Sequence, residues 1–318
     1  MMGGRIGVVG SNMVDLVTYT DRIPAAGETL AGRSFMMGPG GKGANQAVAA
    51  ARLGADVMLV SRIGDDMFGG GTIRGFQEVG LDVRHVRAVP GISSGVATIF
   101  VEPSGENRIV IARGANDCLL PEDVDAASVD LKECSLILLQ LEIPMETTYH
   151  TIEWAKREGI EVLLNPAPAV QDLDLSSILH ATFLVPNQTE LAVLTGMPTE
   201  TRAEVEAAAR SLVARGLKAV IVTLGADGAL LVREGPSVHV PSVKVTPVDT
   251  VGAGDAFIGA FAEHYVRSRD LVAAIEWGVR YAADSVTRPG AQKAYADAEA
   301  FARFRESLEA PQGAGSTA

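Results

Sequence analysis

The chain has 318 residues, 47% of them apolar and 21% charged, with a formal net charge of −12 and an isoelectric point near 4.9. That surplus of carboxylates argues against a nucleic-acid backbone as partner, and no apolar run approaches the ~20 residues of a membrane span. The two cysteines, Cys118 and Cys134, are too few for a disulfide framework, lack metal-ligand spacing and read as reduced core residues. The start Met1-Met2-Gly3-Gly4-Arg5 has no signal-peptide core, so a cytoplasmic protein is expected.

Arg5 to Val9 reads as a buried first strand ending in the turn Gly10-Ser11-Asn12. Gly7 and Gly10 invite a dinucleotide-binding reading, but the third glycine and the following helix are missing. Val14 to Thr20 and Thr29 to Met37, parted by Pro24-Ala25-Ala26-Gly27, read as strands. A second ribbon, Gly95 to Glu102 and Asn107 to Ala112, turns at Pro103-Ser104-Gly105-Glu106. Strands inserted before the first helix do not belong to a simple βαβ repeat, so a small sheet standing off the main body is expected. Pro39-Gly40-Gly41-Lys42-Gly43 feeds a helix, Ala44 to Leu53, and lacks the Gly-Lys-Ser/Thr of a nucleotide P-loop. It fits a hinge that exposes backbone to a small polyol, with Asn45 aimed at sugar hydroxyls, and equally a plain helix start.

From Val57 onward apolar strands alternate with helices. The strands are Val57 to Ser61, Leu136 to Leu141, Glu161 to Leu164, Thr182 to Val185 and Ala219 to Thr223. Between them lie helical patterns such as Phe68 to Val79, Met145 to Arg157 and Arg202 to Ala214. Strands without polar alternation argue a parallel sheet covered on both faces, with ligands bound beyond the carboxyl ends of the strands. Polar residues cluster at those ends: Glu142, Asn165, Asn187, Thr223 with Gly225, and Asp249 to Asp255. One domain over 1–310 is expected, followed by a disordered tail over 311–318.

Toward the C-terminal third, a β-rich run (Ser242 to Val245) leads through Asp249-Thr250-Val251-Gly252-Ala253-Gly254-Asp255 into an apolar helical pattern, Ala256 to Val266. Glycines at a strand-to-helix turn leave N–H groups bare at the positive end of the helix dipole, a site for phosphate. A carboxylate there repels the anion unless it takes a proton from a nucleophile while the N–H groups hold the transferring group. Asp255 is therefore a candidate general base, with the N–H groups of Gly252, Ala253 and Gly254 as an anion hole. Taken alone, the stretch also fits an ordinary helix start with Asp as its N-terminal charge. Asn187 and Glu190, three residues apart, can face one ligand or cap a helix. Thr223-Leu224-Gly225-Ala226-Asp227-Gly228 is a small-residue turn that would let a nucleotide approach the backbone, and any hairpin could carry it. Asp15 and Glu142 stand at strand ends, suited to accept hydrogen bonds from sugar hydroxyls. The five histidines show no metal-ligand pairing, and Trp154 and Trp277 read as packing.

Gly40-Gly41-Lys42-Gly43-Ala44-Asn45, Asn187-Gln188-Thr189-Glu190 and Asp249 to Phe257, in this order, resemble the ribokinase (PfkB-type) family of carbohydrate kinases from about Ile6 to about Gln292. Gly10-Ser11-Asn12-Met13-Val14-Asp15-Leu16 is more similar to the family's deoxyribokinases than to its typical bacterial ribokinases. The resemblance implies a ribokinase-like α/β fold: a mostly parallel sheet with helices on both faces, and a small β-sheet lid from about 12–38 and 95–112. The lid would cover the sugar and make the contact of a homodimer. An ATP-dependent kinase of the 5-hydroxyl of ribose or 2-deoxyribose is implied, with another sugar or nucleoside kinase, or a silent sugar sensor, as rivals. The intact Gly-Ala-Gly-Asp at 252–255 argues against the sensor.

By the same resemblance, Met13, Asp15, Gly41, Lys42, Gly43, Asn45 and Glu142 bind the sugar together with Asp255. Asn187, Thr223, Gly225, Gly228 and Gly254 bind ATP, and Glu190 orders Mg²⁺ through water. Asp249, Val251, Ser285, Arg288 and Gly290 form a K⁺ site built mostly of carbonyls. The family often has Ser where this chain has Ala294, so K⁺ activation is expected to be modest. Ribokinases usually place Asn where Met13 stands, so 2-deoxyribose should enter readily. Asn12, one residue earlier, is the side chain that would restore the lost hydrogen bond if it swung in.

Overall fold

The computed structural model describes residues 4–103, 107–171 and 173–309. The chain enters through β1 (Arg5–Val9), then forms β2 (Met13–Tyr19) and β3 (Ser34–Gly40) before its first helix, α1 (Lys42–Arg52). β4 (Val57–Gly64), α2 (Gly69–Glu78) and β5 (Asp82–Val89) follow, then the ribbon β6 (Val96–Val101) and β7 (Asn107–Ala112). The middle alternates through α3 (Pro121–Leu131), β8 (Cys134–Leu139), α4 (Met145–Glu158), β9 (Glu161–Leu164), the single turn α5 (Leu175–Ile178) and β10 (Phe183–Leu184). Next come α6 (Gln188–Thr195), α7 (Arg202–Val213), β11 (Ala219–Thr223), β12 (Ala229–Arg233) and β13 (Val238–Val240). The last described elements are α8 (Ala253–Ser268), α9 (Leu271–Ser285) and α10 (Ala298–Glu309).

The large sheet runs β13-β12-β11-β10-β9-β8-β1-β4-β5, parallel from β11 to β5 and antiparallel at the β12–β13 edge. Its strands lack polar alternation because both faces are covered. Ile6, Val8, Leu136 and Leu138 pack toward Ala47, Phe257, Phe261 and Ile275 on one face. Val9, Ile137 and Leu139 pack toward Val124, Ile152 and Leu212 on the other. The small sheet, ordered β3-β2-β6-β7, has its own apolar group of Met13, Val17, Ala97 and Ile99. The ribokinase-like α/β architecture with a separate lid sheet is therefore as expected. Among the described residues, no helix is long and apolar enough to cross a membrane.

Several boundaries differ from expectation. The second lid strand begins at Ser34 rather than Thr29 and continues to Gly40, since its limits follow its partner: Tyr19 pairs with Ser34 and Met13 with Gly40. Position 40 of that strand has to be glycine, because a Cβ there would lie 2.2 Å from the Asp15 carboxylate. α1 starts at Lys42, two residues early, on an N-cap Gly41 with φ of 86°. Gly43 is not a loose hinge: it is buried in the helix, where a Cβ would meet the Ser11 nitrogen at 2.6 Å. Ser242 to Val245 joins no strand; β13 ends at Val240 ahead of Pro241, which has no N–H to continue the ladder. The turn at 104–106 and the expected tail at 311–318 lie outside the described residues.

Candidate active site

The carboxyl ends of β9, β10 and β11 open on the N-terminus of α8 through Asn165, Val185 and Thr223. That helix begins at Ala253, so Ala253, Gly254 and Asp255 form its first turn, whose N–H groups lack helical acceptors. The turn into it needs glycine: Gly252 has φ of 75°, and a Cβ there would meet the Tyr295 hydroxyl at 2.6 Å and the Ala291 Cβ at 2.7 Å. The Tyr295 hydroxyl donates to the Gly252 carbonyl at 2.9 Å. Of the three N–H groups expected in the anion hole, that of Ala253 donates to Thr250 within the turn, at 3.2 Å. A pocket of about 180 Å³ lies in front, lined by Gly252 to Asp255, Lys42, Asn165, Asn187, Glu190 and Thr223.

Asp255 is buried and held by two carboxamides of α1. Asn45 Nδ2 donates to its Oδ2 at 2.9 Å and Gln46 Nε2 to its Oδ1 at 3.0 Å. Asn45 was expected to reach for sugar hydroxyls; here its amide is given to Asp255, and its Oδ1 accepts from Gln292 Nε2 at 2.9 Å. Lys42, Asn45 and Gln46 share one helix face through their i, i+3, i+4 spacing. Lys42 therefore stands in the pocket of the anion loop, nearer the expected phosphoryl path than a purely sugar-binding residue. Burial pulls the Lys42 ammonium down, but Asp255, Glu142 and Glu190 together outweigh it and hold the group above its ordinary value.

On the lid side, Asp15 faces Glu142 and Asp255. Burial, reinforced by those two charges, pushes its carboxyl up to about 6. Glu142 is buried, and its Oε2 accepts from the Ser11 hydroxyl at 2.6 Å and from the Lys42 N–H at 2.8 Å. Met13 lies on the same strand face as Asp15, among Val17, Ala97 and Ile99. Asn12 is buried and turned away, its Nδ2 bound to the Ser61 hydroxyl and the Arg62 carbonyl, both at 2.8 Å.

On the other side, Asn187 and Glu190 form a reciprocal capping box at the start of α6. Asn187 Oδ1 accepts from the Glu190 N–H, and Glu190 Oε2 from the Asn187 N–H, each at 2.8 Å. The pair caps the helix, and both residues also line the pocket. Burial raises the Glu190 carboxyl. Thr223 bridges to Asn187. Gly225 has open space where a Cβ would project, whereas at Gly228 a Cβ would strike the Val240 carbonyl at 2.1 Å. Gly228 is thus required by packing.

The residues expected around K⁺ converge beside the anion loop. Asp249 Oδ1 accepts from the Val251 N–H at 3.0 Å and its Oδ2 from the Gly290 N–H at 2.8 Å, tying the two loops together. The Ser285 carbonyl accepts from the Arg288 N–H at 3.2 Å. The Arg288 guanidinium binds Asp284 and the Ala294 carbonyl, so position 294 offers a cation neither side chain nor carbonyl. Among the described residues, no group of three or more His, Cys, Asp or Glu could hold a metal ion.

Gln46, Gln140 and Tyr295 were not singled out from sequence. The spacing of Gln46 from Lys42 was the available signal for the first; neutral amides and a phenol far along the chain gave none for the others.

The sequence profile described as pfkB family carbohydrate kinase matches residues 4–298. A deoxyribokinase of Salmonella typhi is 53% identical over 94% of this chain and 98% of its own. A ribokinase of Schizosaccharomyces pombe is 41% identical over 90% and 93%. The structure of Arabidopsis thaliana ribokinase complexed with ribose and ATP superposes with a TM-score of 0.88 at 30% identity, over 95% of this chain and 99% of that one.

Proposed function

The chain belongs to the pfkB family of carbohydrate kinases, and on that premise we propose that it transfers the γ-phosphoryl of ATP to the 5-hydroxyl of a pentose, 2-deoxyribose or ribose. What supports this most is a buried carboxylate, Asp255, in the same helical turn as N–H groups that open on a pocket. Asp255 accepts the proton of the sugar hydroxyl as its oxygen bonds to phosphorus. The N–H groups of Gly252 and Gly254, with the Lys42 ammonium, take up charge on the transferring group while ADP departs.

Asp15 and the free oxygen of Glu142 accept hydrogen bonds from sugar hydroxyls, and Gly41, Lys42, Gly43 and Asn45 border the sugar. Asn187, Thr223 and Gly225 hold the nucleotide. Glu190 would hold Mg²⁺ through water, and the ion would supply positive charge to neutralise the phosphates. The carbonyls around Asp249, Val251, Ser285 and Gly290 hold K⁺.

Met13 favours 2-deoxyribose. An apolar wall strands no polar group when a hydroxyl is missing, and Asn12 has no free donor to replace the lost bond. The protomers pair through the lid, whose edge strands carry exposed Phe35, Met37, Ile109, Val110 and Ile111. An ATP-using enzyme with two free thiols belongs in the cytoplasm. The test is ADP release from purified protein with ATP and a panel of pentoses, hexoses and nucleosides. Turnover confined to ribose and 2-deoxyribose is expected; preference for a nucleoside or hexose overturns the reading.

A further inference from the structure

The carboxylate of Asp255 is gripped from two sides by consecutive residues of one helix, and each grip is braced behind. Gln46 is fully buried and spends every hydrogen-bonding group of its amide. One N–H goes to Asp255 Oδ1 at 3.0 Å, the other to Asn165 Oδ1 at 3.3 Å, and its Oε1 accepts from Gln140 Nε2 at 2.7 Å. Asn165 cannot turn over, because its Nδ2 donates to the Val185 carbonyl at 2.9 Å. Gln140 is also buried, and a Cβ on Gly10 would lie 2.3 Å from its Oε1, so the backbone leaves its side chain room only by being glycine. A flipped Gln46 amide would set its oxygen against both the Asp255 carboxylate and the Asn165 carbonyl oxygen. The donors from Gln140 through Gln46 therefore run toward Asp255, while the second Gln46 N–H and the Asn165 amide donate away from it and lock the orientation.

We infer that Gln46, oriented by Gln140 and Asn165, is a positioning residue that fixes the Asp255 carboxylate and presents it with N–H groups only. Gln46 is too deeply buried to touch sugar or nucleotide, so it acts through Asp255; Gln140 acts through Gln46. The inference rests on the reading of Asp255 as general base. A base serves when its remaining lone pairs aim at the hydroxyl, and one hydrogen bond to a charged group is enough to set that aim. The other charged or titratable groups around it are Lys42 on the same helix, Asp15 on the lid with Glu142 beside it, Glu190 at α6, and the buried Tyr295. None of them donates to Oδ1 in place of Gln46.

The experiment compares Gln46→Met, Gln140→Met and Asp255→Asn, alone and as the double variant Gln46→Met/Asp255→Asn, in steady-state kinetics with ATP and 2-deoxyribose. Gln46→Met keeps length and volume but has no donor. It should lower kcat roughly 10–100-fold, the worth of a hydrogen bond to a charged group, with sugar and ATP KM within about threefold. The acid limb of its kcat profile should move to higher pH, since the ionised base has lost a donor. Gln140→Met should give a smaller loss of the same kind, and it decides the matter if Gln46→Met does not fold. In the Asp255→Asn background, Gln46→Met should cost no more than about twofold further, because its effect runs through the missing carboxylate. The inference is overturned if Gln46→Met, or Gln140→Met in its stead, keeps wild-type kcat and pH profile. A loss confined to sugar KM, or a full loss repeated in the Asp255→Asn background, overturns it as well. Should Asp255→Asn itself stay within a few-fold of wild type, the base reading fails first; an inactive Asp255→Asn beside an unimpaired Gln46→Met sinks the positioning role alone.

Discussion

The Tyr295 hydroxyl donates to the carbonyl of Gly252 at 2.9 Å, which ties the loop after α9 to the residue that turns the chain into α8. Tyr295 is fully buried, and the same hydroxyl occupies the space a Cβ on residue 252 would need. The anion loop is thus shaped from behind. Tyr295→Phe removes one of two donors to a part-buried carbonyl, which keeps the Ala256 N–H at 2.8 Å, at a cost of about 0.5–1.5 kcal/mol, and lets the first turn of α8 relax. A lower Tm with kcat reduced more than either KM is expected. Unchanged Tm and kcat would show that the bond does not shape the loop. Gly252→Ala should be worse than Tyr295→Phe in both measurements, since it adds a clash to a left-handed backbone.

Asp15 should make the proposed sugar site pH-sensitive. Its carboxyl is raised to about 6, first by burial and then by Glu142 and Asp255. The fold favours the neutral form, so the contribution of Asp15 to stability is present in full below its ordinary value of 3.8 and is lost as pH rises through about 6. Sugar binding has the opposite sign, because hydroxyls donate to the carboxylate. Sugar KM should rise as pH falls below about 6, by up to ~10-fold per unit, while ATP KM stays flat. In the sugar-free protein, Asp15→Asn should gain Tm over wild type at pH 7.5 and lose that gain at pH 5. A sugar KM constant from pH 7.5 to 5 contradicts the assignment.

The loops that Asp249 joins should respond to the monovalent cation. Position 294 supplies no ligand, its carbonyl being held by Arg288, so activation by K⁺ over Na⁺ should be modest and fall on kcat. Asp249→Asn turns a donor toward the N–H of Val251 or Gly290 and should abolish the response. Equal rates in K⁺, Na⁺ and a bulky organic cation speak against a cation site here.

Much of this was legible in the chain because burial on both faces writes itself into strands such as Leu136 to Leu139, whose partners change nothing about their pattern. β3 was misplaced because its limits come from pairing with β2, which no local propensity reports. Ser242 to Val245 has strand-forming residues but no neighbour to bond. Asp255 stood out as a charge among glycines; Gln46 did not, since a neutral amide acquires meaning only when α1 and α8 bring residues 46 and 255 together.

Sugar choice should turn on Met13. With both side-chain N–H donors of Asn12 engaged by Ser61 and Arg62, an added donor at 13 is the way to restore a hydrogen bond to the 2-hydroxyl. Wild type should accept both pentoses, and Met13→Asn should shift kcat/KM toward ribose. Discrimination by wild type against 2-deoxyribose of more than ~10³, beyond what an apolar contact provides, contradicts this. So does a ratio of the two sugars that the substitution leaves unmoved.

The most direct measurement is the turnover number of Asp255→Asn alongside its affinity for ATP. Asn keeps the shape of the side chain and removes the proton acceptor, so kcat should fall by roughly 10²–10⁴ while ATP binds as tightly as to wild type. A variant that turns over within a few-fold of wild type would show that Asp255 is not the base.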